Sequence, residues 1–211
     1  FFQHPVPGEV HDPFWFDSDN LIPEILSSPV RHEIASHSYA HIAYGSPDVN
    51  PAAVKVDIQK AKSLHDASRF PFNTFIFPWN SEGFHAFLKE AGVKRYRGTT
   101  FRWYDLLPGA LRRAGRLLEY FLPTAPPAVV PSFHPSGLLN IPDSMLFLRR
   151  EGIRKVVSAR MLKRKAIRGL LRAAEEKRIF HLWFHPFNFC YDTEMQLNVL
   201  REILKEAARF R

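Results

Sequence analysis

Short apolar runs alternate with amphipathic helical stretches in the first half of the chain, and this alternation limits the fold more than any other feature. Three apolar runs are typical of strands: residues 33–37, 74–77 and 93–98. Asn50 followed by Pro51 predicts the start of a helix of about 15 residues, since Pro is well tolerated in a first helical turn. Apolar side chains at helical spacing predict a second helix over 84–91. Strands that alternate with helices indicate a parallel α/β architecture.

The second half of the chain continues this pattern. Helices are predicted over 111–121 and 159–178, and Thr193 with Gln196 forms a potential capping box for a last helix. Strands are predicted at 136–141, 145–148 and 179–185, the last with the strongest pattern. A length of 211 residues with 45% hydrophobic residues is typical of one globular domain, which we assign to residues 1–211.

Polar side chains follow several of these predicted strands. They are His37, Pro78-Trp79-Asn80, and His185-Pro186-Phe187-Asn188. In barrels of parallel strands with outer helices, the functional residues collect at the carboxyl ends of the strands. The sequence therefore predicts that these three groups converge on one site.

His37 and His41 are four residues apart, and in a helical turn their rings would lie on one face, close enough to hold one cation. A zinc peptidase would need Glu directly after the first His, but Ser38 occupies that position. Two unrelated polar histidines are an alternative that the spacing alone leaves open. A third interpretation comes from a resemblance to a known family.

The run His37-Ser38-Tyr39-Ala40-His41, preceded by His-Glu-Ile, resembles the second motif of the polysaccharide deacetylases, which are metal-dependent enzymes that remove acetyl groups from glycans. Residues 182–185 resemble the late motif that delivers a catalytic histidine, and residues 75–80 resemble a Pro-containing motif that shapes the glycan groove. The resemblance extends over about residues 14–205, and its most specific parts are the His37-His41 motif and the strand before His185.

This resemblance implies a distorted (β/α) barrel that lacks its first strand-helix unit, and we expect the chain to be N-terminally truncated. It implies a divalent metal ion, zinc in the first instance, bound by His37 and His41, and a general-acid role for His185. The groove would contact an N-acetylated or O-acetylated glycan through four residues: Pro78, Trp79, Asn80 and Phe187.

Two features depart from the family's pattern. The family's first motif supplies a third metal ligand and the catalytic base from an Asp-Asp strand end, and we expect that pair to lie before Phe1, since Asp12, Asp17 and Asp19 are too close to the histidines. Ile76 stands where many members carry an Arg that orients the base. An inactive glycan-binding relative of the same fold is therefore the alternative function.

The net charge of +8 is concentrated in residues 149–178, which contain twelve Lys or Arg and three Asp or Glu. Such a segment could contact anionic lipid or a lipid-linked glycan at a membrane surface, and a solvated helix face is the alternative that the charge alone leaves open. No nucleic-acid motif accompanies the charge, so we expect no nucleic-acid partner. Cys190 is the one cysteine, which favours a cytoplasmic location without an intrachain disulfide framework.

Overall fold

The computed structural model describes residues 18–210, and the side chains of residues 21–210. The chain separates into two compact units, residues 1–35 and residues 36–211. In the first unit, α1 is a helix over Ser18–Ser27 that ends where the Ser27 hydroxyl donates to the carbonyl of Glu24 at 2.9 Å. Asp12 and Asp17 lie outside the described residues, and so does the side chain of Asp19.

The second unit contains five further helices: α2 (Pro51–Ala67), α3 (His85–Glu90), α4 (Gly109–Leu118), α5 (Ala159–Glu176) and α6 (Thr193–Ala207). Its strands are short: β1 (Thr74–Ile76), β2 (Arg95–Arg97), β3 (Ser132–Phe133), β4 (Leu139–Asn140), β5 (Met145–Leu146) and β6 (Leu182–Trp183). The start predicted for α2 is confirmed, because the Asn50 side chain accepts from the Ala52 amide at 2.8 Å.

The strands form two small sheets. The first has the order β1-β2-β4-β3, with β1 parallel to β2, β2 parallel to β4, and β3 antiparallel to β4. The second is the parallel pair β5-β6. Residues 141–145 lead from one sheet to the other, since Asp143 N donates to Gly98 O at 3.0 Å and Ser144 N donates to His181 O at 2.9 Å. These two bonds connect the residue after β2 with the residue before β6; closure into a barrel remains a prediction.

Two clusters of buried apolar side chains support these sheets. One cluster packs α2 and α3 on β1 and β2 around Phe75, Phe77 and Leu88. The other packs α5 and α6 on β5 and β6 around Phe147 and Leu162. Because apolar burial is the main favourable term in folding, these clusters fix the positions of the strand ends that carry the candidate site.

Several sequence-based predictions need correction. The strand predicted over 179–185 is regular only at Leu182–Trp183, and the strand over 33–37 is reduced to a single bridge between Ser36 and Phe75. The capping box is wrong: α6 is preceded by Asp192 in a left-handed conformation, and the Thr193 hydroxyl donates to Phe189 O. Within the described residues, no helix is long and apolar enough to cross a membrane.

Candidate metal and glycan site

His37 directly follows the residue that joins its segment to β1. Ser36 N donates to Thr74 O at 3.0 Å, and Ile76 N donates to Ser36 O at 2.8 Å. His37 Nδ1 lies 2.8 Å from Ile76 O. Because a carbonyl oxygen can only accept, we assign the proton to Nδ1, which leaves a lone pair on Nε2. Burial lowers the pKa of His37, against the opposing effect of this hydrogen bond, and so favours the neutral ring.

The turn from Ser38 to His41 is not the helical turn that the spacing suggests. The first and last residues of this turn have positive φ, 72° at Ser38 and 55° at His41. Residues other than Gly adopt this backbone conformation only when neighbouring groups hold it. The Ser38 hydroxyl accepts from Ile42 N at 3.3 Å. The two rings nevertheless lie together, with their centroids 4.9 Å apart and their planes at 74°.

Asp57 of α2 holds this turn, and sequence analysis overlooked it. Its carboxylate accepts from Tyr39 N at 3.1 Å, from Ala40 N at 2.7 Å and from the Tyr44 hydroxyl at 2.7 Å. The side chain is buried, with 3% of the residue exposed. Asp57 lies on the same helix face as Val54, Ile58 and Ala61, so a carboxylate on an otherwise apolar face was the signal that could have identified it.

His185 reaches the pair from the end of β6. Its ring centroid lies 6.5 Å from that of His37, and its backbone amide donates to the Asn188 side chain at 2.9 Å. Asn188 in turn donates to Phe147 O at 2.6 Å, so the turn after β6 is fixed to the second core. Burial lowers the pKa of His185, and the nearby Arg97 charge lowers it further.

Arg97 is the other residue that sequence analysis did not assign. It ends β2, directly across from Ile76 in the parallel register. Its guanidinium lies 4.4 Å from the centre of the Trp183 ring and donates to the Asn80 side chain at 2.8 Å. A cation therefore lies on the strand next to Ile76, although position 76 itself is apolar. Only pairing of the strands in three dimensions reveals this position.

The four predicted glycan contacts differ in their accessibility. Trp79 is 64% exposed and its ring lies 5.5 Å from that of His41. Phe187 is half-exposed and stacks on His185 at 4.8 Å. Pro78 is buried, and the Asn80 side chain accepts from Arg97. Two of the four therefore present aromatic faces to solvent, and the other two shape the site from within.

A cavity of about 180 Å³ adjoins these residues. Asn80 and Trp183 form one side of it, and the Trp183 indole donates to the Asp143 carboxylate at 3.1 Å. The remaining lining includes Tyr104, Arg116 and Glu119 from the segment around α4.

The ligands that could hold a metal ion are the two neighbouring imidazoles. A metal-binding histidine usually donates its other ring N–H to a carbonyl or carboxylate, which is the arrangement seen between His37 and Ile76. In the part of the chain from residue 21 to 210, no group of three or more His, Cys, Asp or Glu has the geometry to hold an ion. The two imidazoles of His37 and His41 are thus the ligands that this site could offer a metal, and the His185 ring lies farther away. No family model, curated protein or solved structure matches this chain.

Proposed function

We propose that this protein is a metal-dependent hydrolase of the polysaccharide deacetylase type, which removes acetyl groups from N- or O-acetylated sugars of a glycan. One observation supports the proposal above all others. Two imidazoles of one turn and a third from a segment far away in sequence lie close together, with ring centroids 4.9 Å apart for His37 and His41 and 6.5 Å apart for His37 and His185.

His37 and His41 would hold a divalent ion, zinc in the first instance. The hydrogen bond from Nδ1 to Ile76 O orients the His37 ring and leaves its Nε2 available as a ligand. The neutral ring that burial favours is also the form that binds metal. When bound, the ion would supply Lewis-acid activation of water and of the acetyl carbonyl. The Asp57 carboxylate keeps the two rings adjacent through its contacts with the turn between them.

His185 would deliver a proton to the leaving nitrogen or oxygen of the sugar. Because its pKa is lowered, the neutral ring has to gain a proton during the reaction before it can act as the general acid. Phe187, stacked on the ring at 4.8 Å, and Asn188, bonded to the His185 backbone, limit its movement. A proton donor must be held in place to reach the leaving nitrogen or oxygen, and these contacts hold the His185 ring.

The acetylated sugar would lie against the exposed faces of Trp79 and Phe187. Aromatic side chains that border a polar site combine apolar contact area with little loss of conformational freedom. Trp79 adjoins His41 and Phe187 adjoins His185, so the two rings flank the three imidazoles. Asn80 and Pro78 would shape the same groove from beneath.

Zinc titration with measurement of acetate release tests this function. We expect zinc to bind the unaltered chain and His185→Ala equally, and to bind His41→Ala much more weakly. The rate of acetate release from a chitin oligosaccharide should fall about 10²- to 10⁴-fold in His185→Ala, as for loss of a general acid. His65→Ala is the matched control, because His65 packs against Phe72 on another part of the unit.

Retention of full zinc binding and full activity by His41→Ala would contradict the assignment. The exposed Trp79 also supports a second function, that of a glycan-binding relative without catalysis. In that case the oligosaccharide would bind equally well with and without zinc, Trp79→Ala would weaken its binding, and no acetate would be released.

A further inference from the structure

Residues 101–121, here called the docking segment, expose an unusual amount of apolar surface. Leu106 is 76% exposed, Phe101 68% and Leu111 60%. Three further side chains in the segment are also exposed: Trp103, Leu118 and Phe121. Single exposed apolar residues are ordinary, but six within 21 consecutive residues form the kind of patch that marks an interaction surface.

The helix α4 within this segment is amphipathic and exposed along most of its length, with Gly115 buried and Leu117 packed against the second core. Leu111, Ala114 and Leu118 follow the spacing i, i+3, i+7 and share one face, and all of them are exposed. The helix contacts the protein at Gly115, where a Cβ would lie 2.7 Å from the Tyr104 Cβ. Gly115 lies between Leu111 and Leu118 in helical spacing, and both leucine side chains stay exposed beside this contact.

Arginines border the apolar face. Arg112, Arg113 and Arg116 are exposed, and none forms an ion pair with a residue in the described part of the chain. The two carboxylates of the segment are already engaged: Asp105 accepts from Arg102 N at 2.8 Å, and Glu119 accepts from Lys165 at 2.9 Å. The accessible charge of the segment is therefore positive.

The basic helix α5 lies beside the end of the docking segment. Lys165 bonds to Glu119, and Arg168 donates to Pro123 O at 2.8 Å. Part of the charge in residues 149–178 is neutralised by local ion pairs, such as Arg149–Glu151 and Arg172–Glu176. The basic residues of α5 alone would give a purely electrostatic contact. The docking segment adds apolar surface beside them.

We propose that the docking segment binds a membrane surface with anionic headgroups. Leu106, Leu111 and Leu118 would enter the boundary between headgroups and acyl chains, and the arginines would contact the phosphates, as in amphipathic helices that lie in the membrane plane. A second copy of this chain fits less well, because a self-complementary contact would bring the same arginines together. Docking of this segment does not require the chemistry proposed for the histidines.

Vesicle sedimentation tests the proposal. The unaltered chain should pellet with vesicles of phosphatidylcholine and phosphatidylglycerol, and much less with phosphatidylcholine alone. Arg112→Gln with Arg113→Gln should weaken this binding about 30-fold, since each basic residue contributes roughly fivefold near an anionic surface. Leu106→Ser with Leu111→Ser should weaken it at least about tenfold through the loss of apolar burial.

Matched controls lie on α6 and in the turn that directly follows it. Leu204 is 58% exposed, and Arg201 and Arg209 are exposed as well. We expect Leu204→Ser, and Arg201→Gln with Arg209→Gln, to leave vesicle binding unchanged. Far-UV circular dichroism checks that all variants retain their fold. The proposal fails if the unaltered chain does not pellet, or if the α6 variants weaken binding as much as the α4 variants. It also fails if the unaltered chain binds no vesicles but forms a dimer, and Leu106→Ser with Leu111→Ser dissociates that dimer.

Discussion

Replacement of Asp57 by Asn should destabilise the protein and loosen the histidine pair. One carboxylate oxygen accepts from Ala40 N, and the other accepts from Tyr39 N and the Tyr44 hydroxyl. An amide has only one acceptor oxygen, so in either orientation its NH₂ group faces a backbone N–H. The hydroxyl of Tyr44 can turn to accept, whereas the backbone amides cannot.

The expected cost follows from this geometry. One buried backbone donor loses its partner, and the remaining bonds lose the charge of the carboxylate, which together amount to about 2–3 kcal/mol. Asp57→Ala removes all three acceptor contacts and should cost about 3–5 kcal/mol. Because the turn orients His37 and His41, zinc affinity should also fall about 10- to 100-fold in Asp57→Asn, as for other groups that orient metal ligands.

Urea unfolding gives the free energy of unfolding, and zinc titration gives the affinity. Asp66→Asn is the matched control on the same helix: Asp66 forms an exposed pair with Lys62 at 2.7 Å, and its loss should change stability by less than about 0.5 kcal/mol. If Asp57→Asn unfolds at the same urea concentration as Asp66→Asn and binds zinc like the unaltered chain, the role assigned to Asp57 is wrong.

Two further predictions concern pH and packing. Burial lowers the pKa of His181, whose Nδ1 donates to Pro142 O at 3.0 Å, so the stability that this ring contributes is complete above its unfolded pKa of about 6.5 and is lost as the pH falls below that value. Thermal unfolding between pH 7 and pH 5 should therefore depend less on pH in His181→Asn, and an unchanged slope would contradict the assignment. Gly83→Ala should cost about 1–3 kcal/mol in urea unfolding, because its Cβ would lie 2.5 Å from Tyr44 O, which is backbone that cannot move aside. Gly152→Asn is the comparison, since no atom lies within 4 Å of a Cβ there and Asn tolerates its φ of 53°.

The helices were the most predictable part of the fold. Asn50 and Pro51 indicated the start of α2, and the helix ends at Ala67, close to the predicted length. Caps and 3.6-residue periodicity are local properties, so a single sequence contains them. The capping box at Thr193 failed because the preceding Asp192 is left-handed, a conformation that the residue types did not indicate.

Strands were less predictable, because a strand exists only where a neighbour pairs with it. The alternation over 179–185 indicated which side chains share a face, but β5 offers only Met145 and Leu146 as partners, so β6 is limited to Leu182–Trp183. The segment before His37 likewise pairs with β1 through a bridge at Ser36 rather than along a regular strand. The length over which a strand is hydrogen-bonded depends on its partner strand, and the partners here are distant in sequence.

The candidate site illustrates the same division. The spacing of His37 and His41 predicted adjacent rings, and the rings are 4.9 Å apart, but a turn with positive φ brings them together rather than a helix. The sequence pattern indicated that Asp57 lies on the apolar face of α2. It did not indicate which groups the carboxylate would accept hydrogen bonds from. Arg97 could not be assigned at all without the register that places it across from Ile76.

By itself, the sequence determined which residues form helices, which face of each helix is apolar, and which polar side chains follow the apolar runs, because these depend on neighbours within a few positions. Only the tertiary structure decided that His185 lies 6.5 Å from His37, that Arg97 stacks on Trp183, and that α4 leaves Leu111 and Leu118 in solvent. Such contacts depend on how distant segments pack around the two buried cores, and that packing is a property of the whole chain.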